Sequence, residues 1–199
     1  MAEIKAFGKW STEGIKVTDA GLVDYVTLKS PVVPRTGARY AKQRFYKSRV
    51  FVVERLMNKL MVPGHRGKKH KLTSYHMSGK ANKAYDLVED AFTIIEQRTK
   101  ANPIKVFAEA LENAAPREEL VTIEYGGARY PKAVDCAPQR RVDFALKHIV
   151  QGAYSKRFNT KKSMVDSLAD EILAAHSKSA ASTAISKKLE IERQADASR

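Results

Sequence analysis

Cysteine is almost absent from this 199-residue chain, and a lone Cys136 excludes an intramolecular disulfide framework. No apolar run approaches the roughly 18 residues that span a bilayer. The opening MAEIKAFGKW also lacks the apolar stretch of a secretory signal. We therefore expect a reducing, intracellular location. Hydrophobic residues make up 43% of the sequence, which is enough for a core, and the length suits one domain.

Acidic residues are scarce relative to basic ones: 22 Asp and Glu stand against 36 Lys and Arg, giving a net charge of +14. The excess is segregated along the chain. Residues 35–83 carry fourteen basic side chains and one acid, Glu54, whereas residues 84–128 carry four basic and nine acidic ones. Such segregation is typical of a surface that meets phosphate. Nucleic acid is therefore the leading partner class, and an anionic membrane is the weaker one.

Apolar residues recur at three- and four-residue spacing in five segments and, more weakly, in a sixth. The pattern predicts a mainly α-helical bundle of about six helices, of which the last is marginal by itself. Asn102–Pro103 is a good start signal, because an N-cap side chain precedes a proline in the first turn. The helices are expected to begin near residue 50, at Ser78, at Pro103, at Pro138, at Ser163 and at about 180, the last ending near 197.

Between the third and fourth helices the period changes from helical to alternating. Val121, Ile123 and Tyr125 alternate with polar residues, and a second β-rich run follows Gly126–Gly127. The two glycines favour a tight turn, so a β-hairpin is predicted at about 120–136. We expect it to project from the helical body as a probe; the alternative is a hairpin folded flat on the helices.

The prolines and basic residues of the N-terminal part predict an extended basic arm over residues 1–48, which packs only locally, before a helical domain over 49–199. Within the arm, Tyr40, Phe45 and Tyr46 are interleaved with Lys and Arg. That mixture suits RNA, whose exposed bases stack on aromatic rings and guanidinium planes. Anchoring of the arm to the core by these aromatics is an equally open interpretation.

No catalytic constellation is apparent, so we expect neither an enzyme nor a cofactor. His65, His70 and His76 lie close together, but their spacing is not that of a zinc site and their neighbours are cations. Cys136 is best interpreted as a small buried hydrophobe. Arg140–Arg141 begins a helix, where a phosphate contact and a surface ion pair are both open.

Six segments together resemble one known family: FGKWSTEG (7–14), GARYAKQRF (37–45), VERLMNKLM (53–61), ENAAPRE (112–118), APQRRVDFAL (137–146) and the tail SKKLEIERQADASR. In this order they are similar to the universal small-subunit ribosomal protein S7 family, and the opening block to its archaeal and eukaryotic branch. The family's GKK matches residues 67–69, with an insertion-like segment after it, or else the second Gly-Lys at 79–80.

The resemblance implies a structural constituent of the cytoplasmic small ribosomal subunit. It would bind the 3′ major domain of small-subunit rRNA and nucleate assembly of the head. The hairpin and the C-terminal helix would lie near exit-site tRNA and the mRNA exit channel. Implied partners are this rRNA, head and platform ribosomal proteins, exit-site tRNA and mRNA, with no membrane and no small-molecule substrate. The alternative is a general RNA-binding or ribosome-assembly factor.

Carried over by position, the implied rRNA-binding residues are all basic: Arg35, Arg39, Lys42, Arg44, Lys47, Arg49, Arg66, Lys68, Lys69, Lys71, Lys80, Lys83, Arg140 and Arg141. The residues implied on the exit-site side of the hairpin are Gly126, Gly127, Arg129, Tyr130 and Lys132.

Overall fold

Helices form the body of the chain in the computed structural model, which describes residues 4–64 and 77–199. Within those ranges the elements are α1 (Val52–Leu60), α2 (Ala81–Thr99), α3 (Pro103–Ala114), β1 (Glu118–Tyr125), β2 (Ala128–Asp135), α4 (Pro138–Arg157), α5 (Met164–His176) and α6 (Thr183–Asp196). This confirms the predicted helical bundle with one hairpin. In the described part of the chain, no helix is both long and apolar enough to cross a membrane.

The helix starts follow the capping signals in the sequence. The Asn102 side chain accepts a hydrogen bond from the backbone N–H of Ile104, and α3 begins at the next residue, Pro103. Ser163 caps α5 in the same way. One start differs: α2 begins at Ala81 rather than at the predicted Ser78, because Gly79 has a φ of +72°, which no right-handed helix accommodates.

Helix α5 is the centre of the bundle and packs against α2, α3 and α4. Its inward side chains Leu168 and Ile172 are fully buried, as are Phe92 of α2, Phe107 of α3 and Ile149 of α4. Apart from Phe92, these positions belong to the three- and four-residue apolar spacing that predicts the helices. The period therefore places one continuous core inside the bundle.

The prediction that the N-terminal arm packs only locally is wrong for its first part. Trp10 is 5% exposed, its ring meets Phe92 at 6.0 Å between centroids, and its indole N–H donates to Glu96 at 3.0 Å. Phe7 joins the same aromatic cluster, and Leu22 is fully buried in the core. Isolated aromatics have no period, so their partners on α2 were not visible in the sequence.

A buried carboxylate holds the C-terminal helix, which the sequence predicted to be marginal. Glu171 of α5 is fully buried, accepts a hydrogen bond from the Ser182 hydroxyl at 2.8 Å and pairs with Lys156 of α4 at 2.5 Å. Gly152 makes room for it, since a Cβ there would lie 2.7 Å from Oε1. Helix α6 therefore begins where α4 and α5 together fix its first turn.

The hairpin projects, as predicted. Its register runs from Glu118 opposite Asp135 to Tyr125 opposite Ala128, and both turn glycines have positive φ. Side chains at the base are half-buried, and those beyond it are exposed on both strands. The alternative of a hairpin folded flat on the helices is therefore wrong. Ion pairs from Arg140 and Arg199 hold the two glutamates at its base, Glu119 and Glu118.

Candidate nucleic-acid interface

The basic segment 35–49 lies on the surface, and five of its six cations are exposed. Arg35, Arg39, Lys42, Arg44 and Arg49 are exposed, and Lys47 is half-buried. Two short 3-10 turns, Arg39–Lys42 and Tyr46–Arg49, give the segment its shape. The structure thus brings together all six cations predicted for this part of the rRNA-binding face.

The one acid of the basic region does not weaken this surface. Glu54 is 2% exposed, and its Oε1 accepts hydrogen bonds from both the backbone N–H and the hydroxyl of Thr36, at 2.8 Å and 2.6 Å. It ties the start of the basic segment to α1. Because its carboxylate is turned inward, an approaching polyanion meets cations without a competing acid from this segment.

Two aromatic residues of the arm carry a guanidinium on their rings. Arg44 lies over Phe45 at 5.4 Å, and Arg49 lies over Tyr46 at 4.8 Å, each measured from the guanidinium carbon to the ring centroid. Phe45 is 59% exposed and Tyr46 is exposed as well. The structure therefore favours stacking over anchoring for this pair, because rings that anchor an arm would be buried.

A cluster of four cations around one carboxylate lies where the arm meets α1 and α4. Lys47 Nζ is 2.5 Å from Asp143, and Arg55 is 3.3 Å from the same side chain. Lys59 has a lowered pKa because it is partly buried and because Lys47, Lys147 and Arg55 lie near it. We call these five residues the junction cluster. Four cations facing one acid leave an unbalanced positive charge, which a phosphate would neutralise.

Sequence reasoning missed Lys59 and Lys147, although a signal for them existed. Arg55 and Lys59 are four residues apart on α1, and Asp143 and Lys147 are four residues apart on α4. Such pairs share a helix face. The sequence does not reveal that α1 packs against α4 and so brings the two faces together.

Part of the predicted rRNA-binding set lies outside the described residues. This applies to Arg66, Lys68, Lys69 and Lys71, together with the histidines at 65, 70 and 76. Lys80 and Lys83, just before and within the first turn of α2, are described and exposed. Contact of Lys80 and Lys83 with rRNA stays a prediction, and their exposure on the surface is consistent with it.

The two arginines at the start of α4 are engaged within the protein. Arg141 is 7% exposed, and its guanidinium donates to the carbonyl of Pro116. It also lies 2.6 Å from Asp19 and, by donating a hydrogen bond to that carboxyl, holds the pKa of Asp19 below its usual range. Arg140 pairs with Glu119 but remains largely exposed. Between a phosphate contact and an ion pair, the geometry favours the ion pair for both arginines. Their contact with rRNA stays a prediction, and only Arg140 presents a surface for it.

The residues predicted on the exit-site side gather at the outer half of the hairpin. Gly126, Gly127, Arg129, Tyr130 and Lys132 are all exposed there. Tyr130 stands opposite Ile123 and Lys132 opposite Val121, so one face of the hairpin combines apolar, aromatic and cationic groups. This face contacts nothing in the helical body that would bury it.

Cys136 does not behave as a nucleophile. The side chain is 7% exposed, and burial together with the nearby Glu119 raises the pKa of its thiol to about 11. At neutral pH the thiol is therefore protonated, and the thiolate that nucleophilic chemistry requires is scarce. The interpretation of Cys136 as a small buried hydrophobe is confirmed.

A helical body with a segregated basic surface, exposed aromatics among the cations and a projecting hairpin is typical of a nucleic-acid-binding protein. The family model described as "Ribosomal protein S7p/S5e" matches residues 22–199. The chain belongs to this family.

Relatives with the printed name "Small ribosomal subunit protein uS7" are similar along nearly the whole chain. The protein of Nanoarchaeum equitans is 52% identical, covering 99% of this chain and 100% of the relative. The protein of Methanothrix thermoacetophila is 47% identical, covering 98% of this chain and 100% of the relative. That of Methanosphaera stadtmanae is 49% identical, over 96% of each.

Family membership confirms several predictions made from the sequence. The chain is a ribosomal protein with a structural role and is not an enzyme. Its predicted place, the cytoplasmic small ribosomal subunit, is confirmed as well. At this level its partners are rRNA and other ribosomal proteins.

Proposed function

We propose that this chain binds the 3′ major domain of small-subunit rRNA, nucleates assembly of the head, and holds its hairpin near exit-site tRNA and the mRNA exit channel. The observation that carries the rRNA contact is the surface made by the arm cations of 35–49 and the junction cluster. Within residues 35–60 the one acid is Glu54, which is turned inward, and the cations of the junction cluster outnumber its single carboxylate, Asp143.

Binding follows from electrostatics on a rigid scaffold. Each phosphate that a lysine or arginine neutralises releases condensed counterions, which makes association favourable at low salt. Because Lys59 stands on α1 and Lys147 on α4, the packing of these two helices fixes the distance between the cations. A fixed spacing selects a folded RNA shape, since double-stranded RNA is recognised mostly by its backbone geometry.

The hairpin and α6 support the second part of the proposal, the contacts with tRNA, mRNA and neighbouring proteins of the head and platform. Strand β1 packs against α6 at the base of the hairpin, and the Glu192 side chain of α6 accepts a hydrogen bond from the backbone N–H of Arg117. The hairpin is therefore held at a defined angle.

Binding of the purified protein to a transcript of the rRNA 3′ domain tests the rRNA contact. With excess tRNA present at physiological salt, we expect binding clearly tighter than the roughly 10⁻⁴–10⁻⁶ M of non-specific association. The measurement is a filter-binding or mobility-shift titration. Loss of the complex to the tRNA competitor would leave a general RNA-binding factor and would contradict the proposal.

Shortening the hairpin separates its role from rRNA binding. Residues 122–131 are deleted, and two glycines close the turn between Val121 and Lys132, which stand opposite each other in the register. We expect rRNA affinity to change by no more than about twofold, because exposed positions away from the interface contribute little. Reconstituted subunits should retain deacylated tRNA in the exit site more weakly.

The matched control for the shortened hairpin is the double substitution Thr122→Ser and Glu124→Gln, which keeps the length of the hairpin. It should leave both the rRNA affinity and the retention of tRNA in the exit site unchanged. A shortened protein that no longer binds the transcript, while its thermal unfolding is unaltered, would show that the hairpin is part of the rRNA contact and not a probe.

A further inference from the structure

A cavity of about 670 Å³ lies between the end of α1, the start of α2, the end of α4 and the start of α5. Its floor is apolar and includes Leu60, Leu87 and Val165. Pockets that hold small organic groups fall in this size range and combine an apolar lining with a few polar groups.

One wall of the cavity is aromatic. Tyr154 and Phe158 lie one helical turn apart, with ring centroids 6.0 Å apart and ring planes at 41°. Phe158 is 50% exposed although it is a large apolar residue, and its backbone N–H donates to the carbonyl of Tyr154 at 2.9 Å. The Phe158 ring therefore lies at the end of α4 with about half of its surface left uncovered by the protein.

The charged residues described in the lining of the cavity are all cations. Lys80, Lys83 and Arg157 line it, and no Asp or Glu is among its described lining residues. None of the three forms an ion pair with a carboxylate within residues 4–64 and 77–199. Two other large cavities in the described part differ, since Glu54 lines one and Asp19 the other.

We propose that this cavity receives one unpaired nucleotide of bound RNA, with its base stacked on Phe158 and its phosphates held by Lys80, Lys83 and Arg157. The proposal rests on the proposed rRNA contact. Charge complementarity selects the occupant: three cations without an acid suit a phosphate, and a half-exposed ring over an apolar floor suits a flat base. A basic or neutral peptide would leave the rim unpaired.

Substitution of Phe158 tests the stacking contact. We expect Phe158→Ala to weaken binding to the 3′-domain transcript by about 5- to 100-fold, the range typical of losing one base–aromatic stack. The slope of log affinity against log salt should not change, because stacking releases no counterion. By contrast, Lys83→Gln should lower the magnitude of this slope by about 0.7–0.9.

Two further variants control for folding and for lost apolar surface. Leu189→Ala removes a similarly exposed apolar side chain from α6, away from the cavity, and should bind like the wild type. Phe158→Leu keeps the contact with the apolar floor but removes the ring, so we expect a smaller loss than for alanine. If Phe158→Ala folds normally and binds as tightly as Leu189→Ala, the proposal is wrong.

Ultraviolet cross-linking of the wild-type complex tests direct contact with RNA, which a purely structural role of Phe158 would not produce. We expect Phe158 to be cross-linked to a single nucleotide of an unpaired rRNA segment. Cross-links elsewhere in the protein but none in 154–165 would overturn the proposal. So would a Phe158→Ala variant that binds RNA normally but loses a ribosomal protein during reconstitution, because a protein segment would then fill the cavity.

The failure of this inference is distinguishable from that of the proposed function. A wild-type chain that binds the 3′-domain transcript no better than tRNA would overturn both. Specific binding by the wild type that Phe158→Ala leaves unchanged would overturn the nucleotide site alone.

Discussion

Replacement of Phe92 with alanine is expected to lower the free energy of unfolding by about 3–5 kcal/mol, the range for removing a fully buried phenylalanine. Phe92 lies on α2, and its ring meets Phe7, Trp10 and Phe107 within 6.0 Å between centroids. The substitution therefore opens a cavity in the core and also removes the surface on which the N-terminal arm packs. Denaturant unfolding monitored by circular dichroism measures the loss.

Trp10 makes the effect on the arm visible, because it is the one tryptophan of the chain. In Phe92→Ala its emission should shift to longer wavelength under native conditions, since the indole loses its apolar contact. Tyr125→Ala is the control, because that side chain is 81% exposed near the tip of the hairpin and should change stability by less than about 0.5 kcal/mol. Unaltered Trp10 emission in Phe92→Ala would mean that the arm does not depend on the core.

Local signals in the sequence predicted the helices and the hairpin. The features that were not predicted depend on contacts between residues far apart in the chain. Asn102, Ser163 and the two hairpin glycines each act within a few residues, so their effects are readable from the chain itself. The contacts of Trp10 with α2 and of Glu171 with Ser182 depend on which helices pack together. No period or motif encodes that choice.

The candidate interface shows the same division. The arm cations lie within fifteen residues of one another, so the sequence alone shows that they form one charged segment, and their contact with rRNA stays a prediction. Arg141, by contrast, pairs with Asp19, more than a hundred residues away, and this contact turns its guanidinium inward. Lys59 and Lys147 joined the site only because α1 packs against α4. Charge counts thus predicted a basic surface but not which of its residues pair within the protein.

Three of the 22 acids are turned away from solvent by contacts between elements of the fold. Glu54 accepts hydrogen bonds from Thr36, Glu171 fixes the start of α6, and Asp19 holds Arg141. Each of these acids stabilises a contact between elements rather than facing solvent. Cations beyond those needed for such contacts remain on the surface, where a polyanion can reach them.

Reversal of two charges in the junction cluster is expected to have the largest effect on RNA binding. In the double variant Lys59→Glu, Lys147→Glu, we expect the affinity for the 3′-domain transcript to fall about 100-fold or more. Two favourable phosphate contacts are lost and two repulsive ones replace them. The magnitude of the salt slope should also fall by at least about 1.4, corresponding to two contacts. Titrations at several salt concentrations measure both quantities.

A control with the same change in net charge separates local contact from general repulsion. Lys100 and Lys105 are exposed, at the end of α2 and on α3, and neither helix carries a member of the junction cluster. Their reversal to glutamate should weaken binding by less than about threefold, because salt screens charges beyond about 10 Å. Equal losses in the two double variants would contradict a specific phosphate site at the junction.

Stability should move in the opposite direction to binding at this cluster. Burial and the neighbouring cations lower the pKa of Lys59, so the folded protein holds its charge at a cost. Lys59→Gln removes that charge, and its thermal midpoint should equal or exceed that of the wild type while RNA affinity falls. A lower midpoint together with unchanged RNA affinity would assign Lys59 to the packing of α1 on α4 instead. Weaker binding by a more stable protein is the signature of a cation kept for its partner rather than for the fold.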